Sequence, residues 1–160
     1  MIGGTDELTK RKVSKIYEYS PGTKNLKPVA DLKYPRSSHS IACFRGLVYI
    51  VSGMGDDDVL RELEIFNPSI NTTQTMKSCK YATVNSCLSV IGNDSLLKLG
   101  GIFANGENND HIEIYNITSN QWIEIDPVIE GVKGDFALLS CSGWSPLTGN
   151  QVFIFGGYNE

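Results

Sequence analysis

The chain has 160 residues, 41% of them hydrophobic and 20% charged, which suits one globular domain and excludes an intrinsically disordered protein. Its formal net charge of -4 argues against a nucleic-acid-binding surface, and no apolar run reaches the roughly 20 residues of a membrane span. The opening segment, MIGGTDELTK, lacks the apolar stretch of a secretory signal, so we expect no export.

The predicted elements are short strands from the start of the chain. The segment MIGG reads as the end of a strand, and two further strands are predicted over residues 13–20 and 24–32. Residues 5–19, TDELTKRKVSKIYEY, also have the pattern of an amphipathic helix. The spacing of the repeated glycines along the chain favours a loop and a strand there instead.

Two complete sets of four strands follow, over residues 37–77 and 82–126. The first set reads HSIACF, LVYIVSG, LEIFN and TTQTMK, and the second reads SCLSVI, SLLKLGG, IEIYN and QWIEI. Turns that contain Gly, Asn and Pro separate these strands. Two more strands are predicted over residues 136–142 and 151–157, so we expect an all-β chain.

A repeat of about 50 residues runs through these strands. Apolar strands end in glycine at Gly4, Gly53, Gly101 and Gly157. The strand after each of the first three ends in an aromatic residue, at Tyr19, Phe66 and Tyr115. Leu26, Thr73 and Trp122 hold matching places in the strand after that. Four antiparallel strands in a unit of this length are typical of one blade of a β-propeller.

The chain resembles the Kelch-repeat family of β-propellers. In that family a double glycine closes the second strand of a blade, an aromatic residue ends the third, and a tryptophan lies in the fourth. Gly100 with Gly101, Tyr115 and Trp122 match all three marks, and PRSSHS at residues 35–40 resembles the start of a first strand. The resemblance covers essentially the whole chain. The residues that it implies to be structural are Gly4, Gly53, Gly100, Gly101, Gly156, Gly157, Tyr19, Phe66, Tyr115, Trp122 and His39.

The predicted strands amount to about three blades of a Kelch-like propeller segment. We expect a partial blade over residues 1–34, blades over 35–80 and 81–134, and a second partial blade over 135–160. Propellers usually have about 4–8 blades, so three would leave large apolar faces uncovered. Two possibilities stay open: a longer chain with further blades, or a homodimer in which two copies complete a six-bladed ring.

One rim of a propeller carries the connections from second to third strands and from fourth to first strands. Loops on a rigid scaffold are where binding residues usually lie. On this chain the rim comprises residues 5–12, 33–36, 54–61, 79–82, 103–110 and 126–135. The candidate partner contacts in these loops are Lys10, Arg11, Arg36, Asp56, Asp57, Asp58, Arg61, Asn105, Glu107 and Asp110.

The acidic run Asp56, Asp57 and Asp58 in this rim has three interpretations. It can be a solvated turn. It can bind calcium, which favours clustered carboxylates, although the rest of a calcium loop is missing. It can also attract and steer a basic segment of a partner protein.

No catalytic, cofactor-binding or metal-binding motif is found, so we expect no cofactor and no enzyme activity. The four cysteines, Cys43, Cys79, Cys87 and Cys141, lack C-x-x-C spacing, and we expect reduced thiols in a cytoplasmic protein. Of the two histidines, His111 is expected to be a solvated loop residue.

The resemblance implies a non-catalytic protein-binding module, part of an adaptor or scaffold, that binds a segment of a partner protein through its rim loops. Ubiquitin-ligase substrate adaptors and cytoskeletal or ciliary scaffolds are the analogies within the family, which adds cytoskeletal association to the expected cytoplasmic location. Two alternatives stay open. One is an architectural subunit of a large assembly, with its outer strands buried, and the other is a fragment of a propeller enzyme of the sugar-modifying or copper-oxidase type.

Overall fold

The computed structural model describes residues 1–125 and the backbone of two short strands beyond them. Within this part of the chain the secondary structure consists of twelve strands and contains no helix. The strands are β1 (Lys15–Ser20), β2 (Asn25–Asp31), β3 (Ser40–Phe44), β4 (Leu47–Val51), β5 (Leu63–Asn67), β6 (Thr72–Thr75), β7 (Cys87–Ile91), β8 (Ser95–Leu99), β9 (Ile112–Asn116), β10 (Gln121–Ile125), β11 (Ser140–Cys141) and β12 (Ile154–Phe155). The prediction of an all-β chain is confirmed.

The strands form antiparallel sheets in which each strand pairs with its neighbour in sequence. β3 to β6 form one four-stranded sheet, called blade A here, and β7 to β10 form a second, blade B. β1 and β2 form a two-stranded sheet before them, called the first sheet, and β11 pairs with β12 after them. The predicted fold of four-stranded antiparallel blades is therefore confirmed.

The register of the strands shows that the repeated positions are equivalent in space. The facing pairs are Tyr19 with Leu26, Phe66 with Thr73, and Tyr115 with Trp122. Residues 5–12 form a loop and no helix, with a bridge between Thr5 and Lys12. The choice of loop over helix for this segment is correct.

The hydrophobic core lies in layers between the sheets. Ile16 and Leu32 of the first-sheet region are buried against Ile50 and Phe66 of blade A. A second layer joins blade A to blade B and contains Tyr49, Val51, Leu63, Leu88, Leu96 and Tyr115. The alternation along each strand places one set of side chains on each face, so a blade between two others buries both faces.

Glycines mark the points where a blade turns close to its own first strand. Gly53 has φ +102°, and a Cβ there would lie 2.6 Å from the carbonyl oxygen of Ser37. Gly101 has φ +91°, and a Cβ there would lie 2.6 Å from the carbonyl oxygen of Val84. Both the left-handed conformation and the missing space require glycine at these two positions.

The same glycine position also links neighbouring sheets. The amide of Gly4 donates a hydrogen bond to the carbonyl of Arg36, 2.8 Å away, and the amide of Gly53 donates to the carbonyl of Thr83, 2.9 Å away. Each bond joins the end of a second strand to the segment before the next blade's first strand. Gly156 and Gly157 lie outside the described residues.

The structure also bears on two further questions, namely membrane spans and the state of the cysteines. The described residues form no membrane-spanning helix. Cys43 and Cys79 are free thiols, as expected. The expectation is wrong for Cys87, which is disulfide-bonded. Disulfide pairing depends on the tertiary contacts of β7, and cysteine spacing along the chain does not show these.

Candidate functional site

The first two rim loops contact each other directly. The amide of Lys12 donates a hydrogen bond to the carboxylate of Asp56 over 2.6 Å, which joins residues 5–12 to residues 54–61. Because Asp56 caps a backbone amide, its carboxylate contributes to the loop structure. Within residues 1–125, Asp56 is the member of the acidic run whose carboxylate accepts a hydrogen bond.

The loop of residues 5–12 is held in a tight turn by Asp6. Its carboxylate accepts hydrogen bonds from the amide of Thr9 at 2.7 Å and from the hydroxyl of Thr9 at 2.8 Å. These bonds from Thr9 lower the pKa of Asp6. Lys10 and Arg11 follow the turn and are exposed. Two cations are thus presented on a loop whose backbone is ordered by its own side chains.

The loop of residues 54–61 presents two free acidic groups. Asp57 and Asp58 are exposed, and neither carboxylate has a hydrogen bond or ion pair within residues 1–125. Arg61 is also exposed, at the other end of the loop. Among the described residues no group of three or more His, Cys, Asp or Glu side chains is arranged to hold a metal ion.

The loop of residues 103–110 is anchored by a buried side chain. The amide nitrogen of Asn109 donates to the carbonyl of Gly100 at 2.9 Å, and its oxygen accepts from the amide of His111 at 3.1 Å. Asn105 and Glu107 lie on the surface of the loop and are bonded to each other over 2.6 Å. Asp110 has 76% of its side chain exposed. The predicted contacts of this loop therefore lie at the surface.

The prediction that Arg36 contacts a partner is wrong, because Arg36 is completely buried. Its guanidinium pairs with the carboxylate of Glu64 at 2.9 Å and donates to the carbonyl of Ser52 at 2.8 Å. Burial lowers the pKa of Arg36, and the charge of Glu64 opposes that shift. Sequence position placed Arg36 in a rim connection, but its side chain points into blade A.

Blade B holds the equivalent glutamate with a different cation. Glu113 in β9 matches Glu64 in β5, yet Thr83 stands where blade A has Arg36. Lys98 in β8 supplies the cation instead. Its ammonium lies 2.8 Å from the carboxylate of Glu113, and both side chains are buried. Each blade therefore pairs its buried glutamate with a cation from a different sequence position.

Both buried glutamates also organise the rim. Glu64 accepts hydrogen bonds from the amides of Lys33 at 2.7 Å and Tyr34 at 3.2 Å, and Glu113 accepts one from the amide of Lys80 at 2.7 Å. These amides belong to the connections between fourth and first strands. A carboxylate inside each blade therefore holds the backbone of one rim connection in place.

A cluster of aromatic side chains covers the rim of blade B, and we call it the Tyr81 cluster. The rings of Tyr81 and His111 are stacked, with centroids 3.9 Å apart, and Phe103 lies 6.0 Å from Tyr81. Glu124 in β10 accepts a hydrogen bond from the hydroxyl of Tyr81 at 2.6 Å and lies 2.9 Å from Nδ1 of His111. His111 thus lies in the loop before β9, as expected, with 36% of its side chain exposed, and it also stacks on Tyr81.

Charge within the Tyr81 cluster is balanced at the surface. The ammonium of Lys80 lies 2.6 Å from Glu124 and 4.8 Å from the centre of the Tyr81 ring. Its bond to Glu124 raises the pKa of Lys80, and the bonds from Lys80 and Tyr81 lower the pKa of Glu124. The hydrogen bond to Glu124 raises the pKa of Tyr81.

One sequence feature outside the glycine and aromatic repeat indicates this cluster. A Lys-Tyr pair occurs twice at matching places, Lys33 with Tyr34 and Lys80 with Tyr81, and each ammonium lies over the neighbouring ring. The contribution of Glu124 and His111 could not be predicted, because they lie on segments distant in sequence.

The surroundings of His39 and of the aromatic residues expected to be structural differ. Nδ1 of His39 is buried and has no hydrogen-bond partner within residues 1–125. Burial, with a smaller effect from Arg36, lowers the pKa of His39 to about 4. Trp122 packs on Tyr115 at 5.0 Å and donates to the carbonyl of Lys77 at 2.7 Å, whereas Tyr19 is 54% exposed.

The chain is similar to several known proteins. It is 27% identical over 142 residues to Spermatocyte protein spe-26 of Caenorhabditis elegans, covering 89% of this chain and 23% of that protein. It is 25% identical over 153 residues to Kelch-like protein 25 of Homo sapiens, covering 89% and 24%. The solved structure of YjhT matches with a TM-score of 0.70 and 14% identity, over 84% of this chain and 50% of that one. No family model matches the sequence.

Four-stranded antiparallel sheets stacked face to face, together with the match to YjhT, define this chain as part of a β-propeller. The curated relatives include Kelch-like protein 25, and the chain has the repeated glycine and aromatic positions on which its resemblance to Kelch repeats rests. The chain spans about a quarter of the length of these relatives.

Proposed function

We propose that this chain is a non-catalytic protein-binding module that holds a segment of a partner protein on its rim. The observation that carries the proposal is the combination of free charges and aromatic surface on loops fixed from within. Asp57 and Asp58 have no partner in residues 1–125, and the Tyr81 cluster lies on the rim of blade B. Rigid loops bind with little ordering cost, which favours recognition of a short segment.

The chemistry of the rim favours a basic and partly aromatic or aliphatic partner segment. Asp57, Asp58, Glu107 and Asp110 are carboxylates at the surface, which attract cations and steer their approach. The rings of Tyr81 and Phe103 supply area for an apolar side chain. Lys10, Arg11 and Arg61 add positive charge at other points of the rim, and we propose that they orient the segment.

The test replaces the carboxylates of Asp57 and Asp58 with neutral amides and preserves the structure of the loop of residues 54–61. In the variant Asp57→Asn with Asp58→Asn, the bond from Lys12 to Asp56 is retained, so the fold of the loop is preserved. Affinity capture with the wild-type protein and with this variant compares the proteins retained. Lys24→Gln, which removes one exposed charge in the turn between β1 and β2, away from the rim, is the control. We expect the double variant alone to lose partners, and identical sets for all three would contradict the proposal.

A second candidate, an architectural subunit of a larger assembly, is favoured by the outer strands. β6 and β10 are largely exposed, and Ile123 in β10 is 56% exposed. Edge strands are natural docking sites for another chain. Ile123→Asp would weaken such an assembly and leave rim binding unchanged. Under the rim proposal, Ile123→Asp has no effect on the captured proteins and the double Asp variant loses them.

The remaining parts of the proposal concern organisation and location. We propose the domain division of residues 1–34, 35–80, 81–134 and 135–160, with further blades in a longer chain or a second copy as the source of a closed ring. We also propose a cytoplasmic location, with cytoskeletal association as the family analogy implies. Stoichiometric copper in the purified protein would instead support the enzyme alternative.

A further inference from the structure

The loop of residues 5–12 carries an apolar side chain that the proposed function leaves unexplained. Leu8 lies in the turn of this loop and is 94% exposed, more than any other large hydrophobic residue within residues 1–125. Isolated exposed leucines are common on protein surfaces, so exposure alone assigns no role. The neighbours of Leu8 in the loop give the further evidence.

Hydrogen bonds hold Leu8 on an ordered turn. The carboxylate of Asp6 accepts hydrogen bonds from the amides of Leu8 at 3.1 Å and Thr9 at 2.7 Å. The amide of Asp6 donates to the carbonyl of Arg11 at 2.9 Å, which closes the base of the turn. Because the backbone is already fixed, burying Leu8 against a partner would order one side chain and no loop. The entropic cost of that contact is therefore low.

Two free cations lie beside Leu8 in the loop. Lys10 and Arg11 are exposed, and neither cationic side chain has a hydrogen bond or ion pair within residues 1–125. The adjoining loop of residues 54–61 is joined to this one through Asp56 and leaves both cations unpaired. A leucine next to two unpaired cations is complementary to an apolar pocket that is bordered by carboxylates.

The small apolar surface of the loop favours a protein partner over a membrane. One leucine side chain is much smaller than a myristoyl chain, which by itself gives only marginal membrane binding. The three cations of the loop are offset by the carboxylates of Asp6 and Glu7, whereas segments that bind anionic lipids usually have about 4–8 Lys or Arg residues. A pocket in a protein can enclose a leucine side chain completely, which strengthens binding by about tenfold or more.

We propose that Leu8 inserts into an apolar pocket bordered by carboxylates on the partner protein, with Lys10 and Arg11 pairing with those carboxylates. This inference rests on the proposed function, because the loop lies on the same rim. It adds a second contact, since the partner contributes a basic segment for Asp57 and Asp58 and also a pocket for Leu8. The first-sheet end of the rim then inserts a side chain, whereas the rim of blades A and B receives one.

The experiment compares variants of the full chain in one affinity capture, with the captured proteins quantified by mass spectrometry. Leu8→Ser removes the apolar side chain, and we expect the proteins that the double Asp variant loses to fall by at least about tenfold. Leu8→Met keeps a side chain of similar volume and should restore most of the capture. Ile70→Ser is the matched control and should retain these proteins, because Ile70 is 65% exposed in the turn between β5 and β6, on the opposite side from the rim.

The outcomes separate this inference from the proposed function. If Leu8→Ser retains the proteins that Asp57→Asn with Asp58→Asn loses, the pocket for Leu8 is overturned and the rim function stands. If every variant retains the same proteins, both are overturned. An equal loss for Ile70→Ser would show that any exposed aliphatic residue affects capture, and it would also overturn the assignment of Leu8.

Further measurements test the fold, the charges and the membrane alternative. Because Leu8 is exposed, Leu8→Ser should keep the melting temperature and the mass of the wild-type protein. A change in either would show that Leu8 packs within the molecule or against a second copy, and would overturn the inference. Lys10→Gln with Arg11→Gln should weaken capture severalfold, with a smaller effect at high salt, and unchanged capture would contradict the pairing. Vesicles of equal parts phosphatidylserine and phosphatidylcholine should not bind, and binding that Leu8→Ser abolishes would assign the loop to a membrane instead.

Discussion

At the scale of single residues, the repeated glycines differ in what they require. Gly101 has both a left-handed backbone and a backbone atom where a Cβ would be, whereas Gly4 has φ +120° and open space around it. Ser52 adopts φ +62° at the place where the next repeat has Gly100. In blades A and B, steric exclusion therefore requires the second glycine, Gly53 or Gly101, whereas Ser52 shows that the first position of blade A accepts a side chain.

We expect Gly101→Ala to lower the free energy of unfolding by about 1 kcal/mol or more. The added Cβ would meet the carbonyl of Val84 and the backbone of Ser86, which cannot move independently of β7. Urea unfolding measures the effect. Gly22→Ala is the matched control, because a Cβ at Gly22 meets nothing within 4 Å. Equal losses in the two variants would contradict the steric explanation.

His39 makes folding sensitive to acid. Its pKa is about 4 in the folded protein and 6.5 in an unfolded chain, so the unfolded state binds more protons between these values. Stability should therefore fall as the pH is lowered from about 6.5 to about 4, by at most about 1.4 kcal/mol per pH unit. His39→Ser, which copies Ser86 of blade B, should flatten this part of the curve. Urea midpoints across this pH range give the measurement, and parallel curves would argue against it.

At the scale of elements, the two blades neutralise an equivalent buried glutamate with different cations. A buried glutamate on the third strand needs a cation, because an unpaired buried charge is strongly unfavourable. Blade A supplies Arg36 from the rim connection, and blade B supplies Lys98 from β8, at the place where blade A has Ile50. The hydroxyl of Thr83 is buried without a partner in residues 1–125, in the place of Arg36.

This difference can be tested by giving blade B an arginine at the position that Arg36 has in blade A. Lys98→Ile alone leaves Glu113 unpaired, and we expect a loss of about 3–5 kcal/mol in stability. Adding Thr83→Arg should restore most of it, because the guanidinium can reach Glu113 as Arg36 reaches Glu64. Unfolding of the single and double variants gives the coupling energy. Simple additivity would show that the blades are not equivalent here.

At the scale of the whole molecule, the edge of β1 bears on how a ring can close. The amide of Tyr17 donates to the carbonyl of Met1 at 2.8 Å, and the amide of Gly3 donates to the carbonyl of Lys15 at 3.1 Å. Residues 1–3 thus occupy the edge of β1 that a second strand from another copy would use. Closure of a six-bladed ring by two copies requires these residues to leave.

Light scattering on the full chain and on a variant without residues 1–3 tests this. A two-copy ring predicts a species of twice 17.6 kDa that increases when the residues are removed, because the edge of β1 becomes free. The monomer mass for both proteins would exclude the two-copy ring and leave further blades in a longer chain as the proposal.

The strands, their grouping into blades and the repeated glycine and aromatic positions could be predicted from the sequence. These features depend on local physics: alternation along a strand, turn chemistry and backbone conformation. Which charged groups are buried depends instead on contacts between segments that are distant in sequence. Arg36 is buried because Glu64 faces it from a strand distant in sequence, and Glu124 and His111 join Tyr81 for the same reason. The energy of a charge or a ring depends on neighbours that chain order does not specify.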